Sequence, residues 1–221
     1  MPTDRLRAAL IALALPAALS CLAPTKAQAH PHVFIDSGVD FLFDAEGRLS
    51  HLRVIWIYDA LASLFMLEDL AIEEGPDGRI GEADKAALAA YQSQWIDGFE
   101  GDGTLHHERR RIGLSRPIEP QADYRGGQVE IRFLRALDEP ITPGPGTVAK
   151  LYDPTYFSAY FVTMQPALEH APAPCRAEVV PFEPTGPLLA LQQTVAAVPI
   201  DEDPEEDVGH LFADRIYVTC E

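Results

Sequence analysis

Between residues 32 and 58 the chain alternates apolar and polar side chains in two runs. HVFIDSGVDFLFD (32–44) and LSHLRVIWIY (49–58) are rich in Val, Ile and aromatic residues, and AEGR between them carries a glycine suited to a tight turn. Period-two patterning of this kind predicts two strands joined as a β-hairpin, with a bulge at Gly38. The period then lengthens. DALASLFMLEDLAI (59–72) places apolar residues at Leu61, Leu64, Phe65, Leu67 and Leu70 behind a possible N-cap, Asp59, which predicts a helix. EEGPDGR interrupts it, and GEADKAALAAYQSQWIDGF predicts a second helix ending near Gly98. A helical pair over about 59–98 is therefore inserted after the hairpin.

The remainder reads mainly as strand. TLHHERRRI, GGQVEIRFLRAL, GTVAKLYD, YFSAYFVTM, CRAEVVPF and DRIYVTC are the candidates, separated in places by proline-rich breaks such as EPITPGPG and HAPAPC. PLLALQQTVAAV predicts one late helix, followed by the acidic run DEDPEED, which reads as a solvated loop. Strands broken by one block of helices predict an α+β fold: an antiparallel β-sheet or sandwich with an inserted helical pair and one late helix. No internal repeat or linker divides it.

The beginning of the chain has a different character. Arg5 and Arg7 precede the apolar segment AALIALALPAALSCL, and Ala27-Gln28-Ala29 offers the small residues that signal peptidase requires. Residues 1–29 are expected to be a signal peptide and 30–221 a single α+β domain. The rival, lipoprotein processing at Cys21, has a poor lipobox in the preceding ALS. A retained anchor is disfavoured because the segment is short and broken by Pro16. No later segment is long and apolar enough to span a bilayer. The expected location is an exported compartment, most simply the periplasm.

Composition narrows the function. The 221 residues carry 34 acidic against 17 basic side chains, a net charge of −17, and are 47% hydrophobic, enough for a real core. A basic footprint for nucleic acid is missing, and an anionic membrane surface would repel the chain. Loss of the leader removes Cys21 and leaves Cys175 and Cys220, an even pair in an oxidising compartment, expected to form a disulfide. There is no GxSxG, Walker or dinucleotide motif, and the expected bridge removes a thiol nucleophile, so an enzyme is not expected.

The candidate chemistry lies in AHPHVFID (29–36). Cleavage after Ala29 would make His30 the N-terminal residue, with a free α-amine beside its own imidazole. His32 lies two residues on, on the same side of an extended chain. Amine and imidazole nitrogens suit Zn²⁺, Cu²⁺, Ni²⁺ or Co²⁺. Pro31 has no amide hydrogen to lose, so the square-planar mode that deprotonates two backbone amides is blocked. What remains is a brace of the His30 amine and ring, the His32 ring and a further ligand, for which Asp59, beyond the hairpin, is the first candidate carboxylate. Elsewhere, His106 and His107 on one strand would face opposite ways and read as surface residues. EEGPDGRIGEAD (73–84) is a decayed EF-hand-like loop: Gly75 stands where an oxygen ligand is needed and Asp84 where a bidentate Glu is usual, so a loop without calcium is expected.

AHPHVFID, VIWIYDALASLFMLEDL (54–70), WIDGF (95–99), YDPTYFSAYF (152–161) and LFADRIYVTC (211–220) together resemble the DUF1007 family of bacterial exported proteins, in order and over essentially the whole mature chain. On that resemblance, the family's HPH pattern falls on His30, Pro31 and His32, its Tyr-Asp pair on Tyr58 and Asp59, and its Asp-Pro-x-Tyr on Asp153, Pro154 and Tyr156. Asp153 thereby becomes a second candidate carboxylate ligand. Family members often carry a fuller Asp-rich loop where this chain has EEGPDGR. They are described as periplasmic components of an uncharacterised ABC-type transport system, often associated with nickel/cobalt-type or zinc transporters. The resemblance implies a periplasmic transition-metal-binding accessory protein that serves a membrane metal transporter. The alternative is a metal-free acidic interaction subunit docking through its DPTYF aromatics. A third expectation, a copper oxidative enzyme, lacks any sequence sign of a substrate face.

Overall fold

The computed structural model describes residues 30–199, 202, 204 and 207–221. The expected signal segment, with Cys21, and part of the acidic run lie outside the described residues.

The first hairpin forms as patterned, from β1 (Val33–Phe43) and β2 (Leu49–Tyr58). Its register slips between Leu42 and Phe43, whereas Gly38 pairs regularly with Ile55. The bulge expected at Gly38 is thus displaced. A Cβ at Gly38 would lie 2.9 Å from the Met164 sulfur, so this glycine serves close packing instead.

α1 (Ala60–Asp69) and α2 (Glu82–Ser93) follow. The second helix stops at Ser93, short of the expected Gly98, and Trp95 folds back so that its Nε1 donates to the Gln92 carbonyl at 3.0 Å. TLHHERRRI, patterned as one strand, is a hairpin of β3 (Gly103–His107) and β4 (Arg110–Ile112). Glu108 and Arg109 turn it, both at positive φ.

β5 (Ile118–Arg125), unforeseen in the pattern, pairs with β6 (Gln128–Ile141). It contains Pro120, which an edge strand tolerates. Then come β7 (Val148–Leu151), β8 (Ser158–Val162), the two-residue β9 (Leu168–Glu169), β10 (Cys175–Val180), α3 (Gly186–Val195) and β11 (Arg215–Cys220).

Among the described residues the strands make two sheets. One has the order β5-β6-β2-β1-β8 with β9 also on β1; the other has the order β10-β11-β7-β3-β4. Pairing is antiparallel except that β8 and β9 run parallel to β1. The architecture is α+β, as expected, with this parallel edge as the departure. Cys175 and Cys220 face each other across β10 and β11 and form the disulfide.

Alternate residues of the first sheet (Ile35, Val39, Phe41, Val54, Trp56, Ile131, Phe133) join Leu105, Ala149, Ile216 and Val218 of the second in one buried cluster. Each Val, Leu, Ile or Phe among them contributes about 1.5–3 kcal/mol by leaving water.

Candidate metal site

The parallel edge positions the two histidines. The backbone amides of His32 and Val33 both donate to the Phe157 carbonyl, at 2.8 and 3.3 Å, and β1 then runs beside β8 from Val33 opposite Ser158. This fastens the start of β1 to the DPTYF turn. The rings of His30 and His32 lie with centroids 4.8 Å apart, nearly edge to face, and the Phe157 ring sits 4.7 Å from that of His32.

Both rings carry a buried nitrogen with no hydrogen-bond partner: Nδ1 of His30 and Nε2 of His32. Leaving such atoms unpaired costs free energy, and most buried polar atoms avoid it. His30 is 3% exposed, and its other nitrogen, Nε2, lies 3.2 Å from the Glu202 carbonyl oxygen. A carbonyl only accepts, so this contact requires Nε2 to carry the hydrogen. In the neutral ring the lone pair then sits on Nδ1. This is the arrangement in which a ligating histidine is commonly held by a backbone carbonyl. Burial, and then the neighbouring His30, lower the pKa of His32 and so favour its neutral form.

Asp59 and Asp153 occupy different roles. Asp59 caps α1: its Oδ1 accepts the amides of Leu61 and Ala62, both at 2.9 Å, and its Oδ2 accepts the amide of Phe34 at 2.8 Å. Asp153 organises the DPTYF turn. Its Oδ1 accepts the Thr155 amide and hydroxyl, both at 2.9 Å, and its Oδ2 the Ser158 amide at 3.0 Å. Both carboxylates fasten the segments that carry the histidines. Of the four candidate ligands the structure brings together two, His30 and His32. Among the described residues no group of three or more His, Cys, Asp or Glu side chains converges as a metal cluster.

The EF-hand-like loop and the other histidines also find structural partners. In the loop between α1 and α2, Asp77 accepts the Arg79 amide and Asp84 the Gly81 amide, and the neighbouring Glu74 carboxylate accepts from the Tyr124 hydroxyl. His106 and His107, expected at the surface, are half-buried. His107 Nδ1 lies 2.8 Å from the Thr147 hydroxyl, and burial depresses the basicity of His106.

Two ionisable groups, one buried and one half-buried, escaped the sequence pattern. Arg135, 3% exposed, donates to the carbonyls of Ser115, Gly103 and Leu114 and lies 5.0 Å from the Trp95 ring centroid. Asp102, at positive φ, accepts from the Tyr160 hydroxyl at 2.8 Å. Burial pushes its pKa up to about 7 despite that bond. The only sequence signal for Asp102 is its position between two glycines, Gly101 and Gly103. A cleft of about 450 Å³ opens beside it, bordered by Thr104, Arg111, Tyr152 and His210.

A family model described as a protein of unknown function (DUF1007) matches residues 15–220. No match is found among curated proteins or among solved structures.

Proposed function

The chain belongs to the DUF1007 family, and from that premise we propose that it is a periplasmic transition-metal-binding accessory protein of a metal transport system. The observation that carries this reading is the pair of buried, unpartnered nitrogens, His30 Nδ1 and His32 Nε2, on rings 4.8 Å apart. The residues fit the group. Imidazole donors suit Zn²⁺, Cu²⁺, Ni²⁺ or Co²⁺. His30 Nδ1 is also the ring nitrogen that closes a chelate with the same residue's α-amine, once cleavage after Ala29 frees it.

Each remaining part has a task. The Glu202 carbonyl orients the His30 ring. Asp59 and Asp153 hold the two chain segments in register, and Phe157 shields the rings from water. Open coordination positions beyond three nitrogens would allow an ion to be passed to a membrane transporter. The role proposed is that of a carrier and not of an enzyme.

Titration of the protein beginning at His30 with Cu²⁺ and with Zn²⁺, at pH 7.5 and pH 5.5, tests the reading. Binding at pH 7.5, weakening at pH 5.5 as protons compete for the imidazoles, and loss in His30→Ala/His32→Ala are expected. Equal binding by the wild type and the double variant would refute it.

A metal-free interaction subunit is the second reading. The exposure of Phe157 in the DPTYF turn favours it, although Tyr156 of the same turn is buried. It requires that chelators change no property of the protein.

A further inference from the structure

α1 meets the core through Leu67, Ala62 and Met66 but leaves a second apolar face open. Its one uncharged polar residue, Ser63, is fully buried, where its hydroxyl donates to the Tyr58 carbonyl and accepts the Val129 amide. Three of its largest apolar residues face solvent: Leu61 is 59% exposed, Leu64 51% and Phe65 56%. These stand at positions i, i+3 and i+4, and therefore line one stripe of the helix. A stripe of this size left in water gains nothing for the fold, and contiguous exposed apolar surface marks an interaction site.

The stripe does not stand alone. Asp59, which caps the helix, binds the Phe34 amide, so α1 begins where β1 begins. Phe34 is exposed, and its ring stacks parallel to that of exposed Phe161, with centroids 6.4 Å apart. Exposed Phe157 lies against His32. The stripe and the Phe34–Phe161 pair thus stand on elements joined at the Asp59 cap; Ile35 points into the core, so alternation sends Phe34 to the opposite face of its sheet.

Charge selects the occupant. From residue 54 to residue 78 there is no Lys or Arg, while Glu68, Asp69, Glu73, Glu74 and Asp77 are all acidic and exposed. On β1, Asp36 is exposed beside Phe34. A second copy of this chain would bring the same acidic rim and a net charge of −17, so like charges would oppose pairing. A helix that lies on a membrane surface carries Lys or Arg on its polar face, and α1 has none.

We propose that the exposed stripe of α1 docks a partner polypeptide whose contact surface is an apolar strip flanked by Lys and Arg. The surface holds whether or not the histidines take a metal, so it goes beyond the reading above and does not rest on it.

A photoreactive phenylalanine placed at Leu64 or at Phe65 of the full chain, expressed in cells that carry its natural copy, tests the proposal. Arg176, exposed on β10, serves as the control position. After irradiation, the captured segment is identified by mass spectrometry and synthesised as a peptide. Both helix positions are expected to capture the same segment, apolar and flanked by Lys or Arg, with no capture from Arg176. The peptide should bind the purified chain, weaken as salt rises, and bind at least about ten-fold more weakly to Leu64→Glu/Phe65→Glu. Exposed positions of this kind tolerate such changes with little loss of stability, and circular dichroism verifies the fold. Capture of lipid, of a second copy of this chain, of a segment without basic residues, or of nothing would overturn the proposal.

Discussion

The carboxylate of Asp59 accepts the backbone amide of Phe34 at 2.8 Å while capping α1 through its other oxygen. One side chain thereby ties the first helix to the strand that follows the histidine pair.

Asp59→Ala should cost about 2 kcal/mol, combining a lost cap with a lost charge-assisted bond to a strand amide. Urea denaturation measures this. If Asp59 is a fastening, metal affinity should change much less than in His30→Ala. A loss of affinity as large as that of the histidine variant would instead make Asp59 a ligand.

Ser63→Ala should be more costly than its size suggests. It leaves the Val129 amide buried without its 2.9 Å acceptor. The expected loss is about 1–3 kcal/mol, read from the denaturation midpoint, with no effect on metal binding.

Asp102 should make stability depend on pH. Its carboxyl titrates near 3.8 in the unfolded chain and at about 7 when folded. Between these values the unfolded chain has released the proton that the folded chain retains, so stability falls as pH rises from about 4 to about 7. Asp102→Asn, which keeps an acceptor for Tyr160, removes that slope. The variant should match the wild type at pH 4 and exceed it at pH 8 by on the order of 2–4 kcal/mol. Denaturation at pH 4, 6 and 8 provides the test, and parallel curves would show that the carboxyl is not held protonated.

Cys175 and Cys220 close a loop spanning 45 residues and pin the C-terminal strand to β10. Cys175→Ser/Cys220→Ser should lose about 2–5 kcal/mol. The histidine pair lies just before β1 of the other sheet, so metal binding by the folded fraction should persist.

Much of this fold was legible in the sequence because periodicity reports burial. β1, β2, α1, α2 and the terminal strand stand close to where the pattern put them, and the two cysteines beyond the expected leader form the expected bridge. Strand direction has no periodic signature, so the parallel placement of β8 on β1 could not be read. Pro120 and the charged residues around it masked β5, because an edge strand is free to carry both. At α1 the pattern misled: apolar spacing locates a helix but does not say which apolar face meets the core, and here Ser63 went inside while Leu64 and Phe65 stayed out. The histidines were legible as a pair, and Asp59 was legible as the N-cap of α1. Its second bond, to the Phe34 amide, and the fixing of Asp153 by the amides of Thr155 and Ser158 were not, since such contacts join segments that no local pattern relates.

The most direct test of the metal reading compares Cu²⁺ affinity between the chain that begins at His30 and the same chain retaining Ala29 in front of it. The imidazoles are identical in the two proteins, and only the position of the free amine differs. The account predicts that the added residue lowers affinity by on the order of ten-fold or more, because the His30 nitrogen becomes an amide and ceases to be a donor. Equal affinity would contradict it.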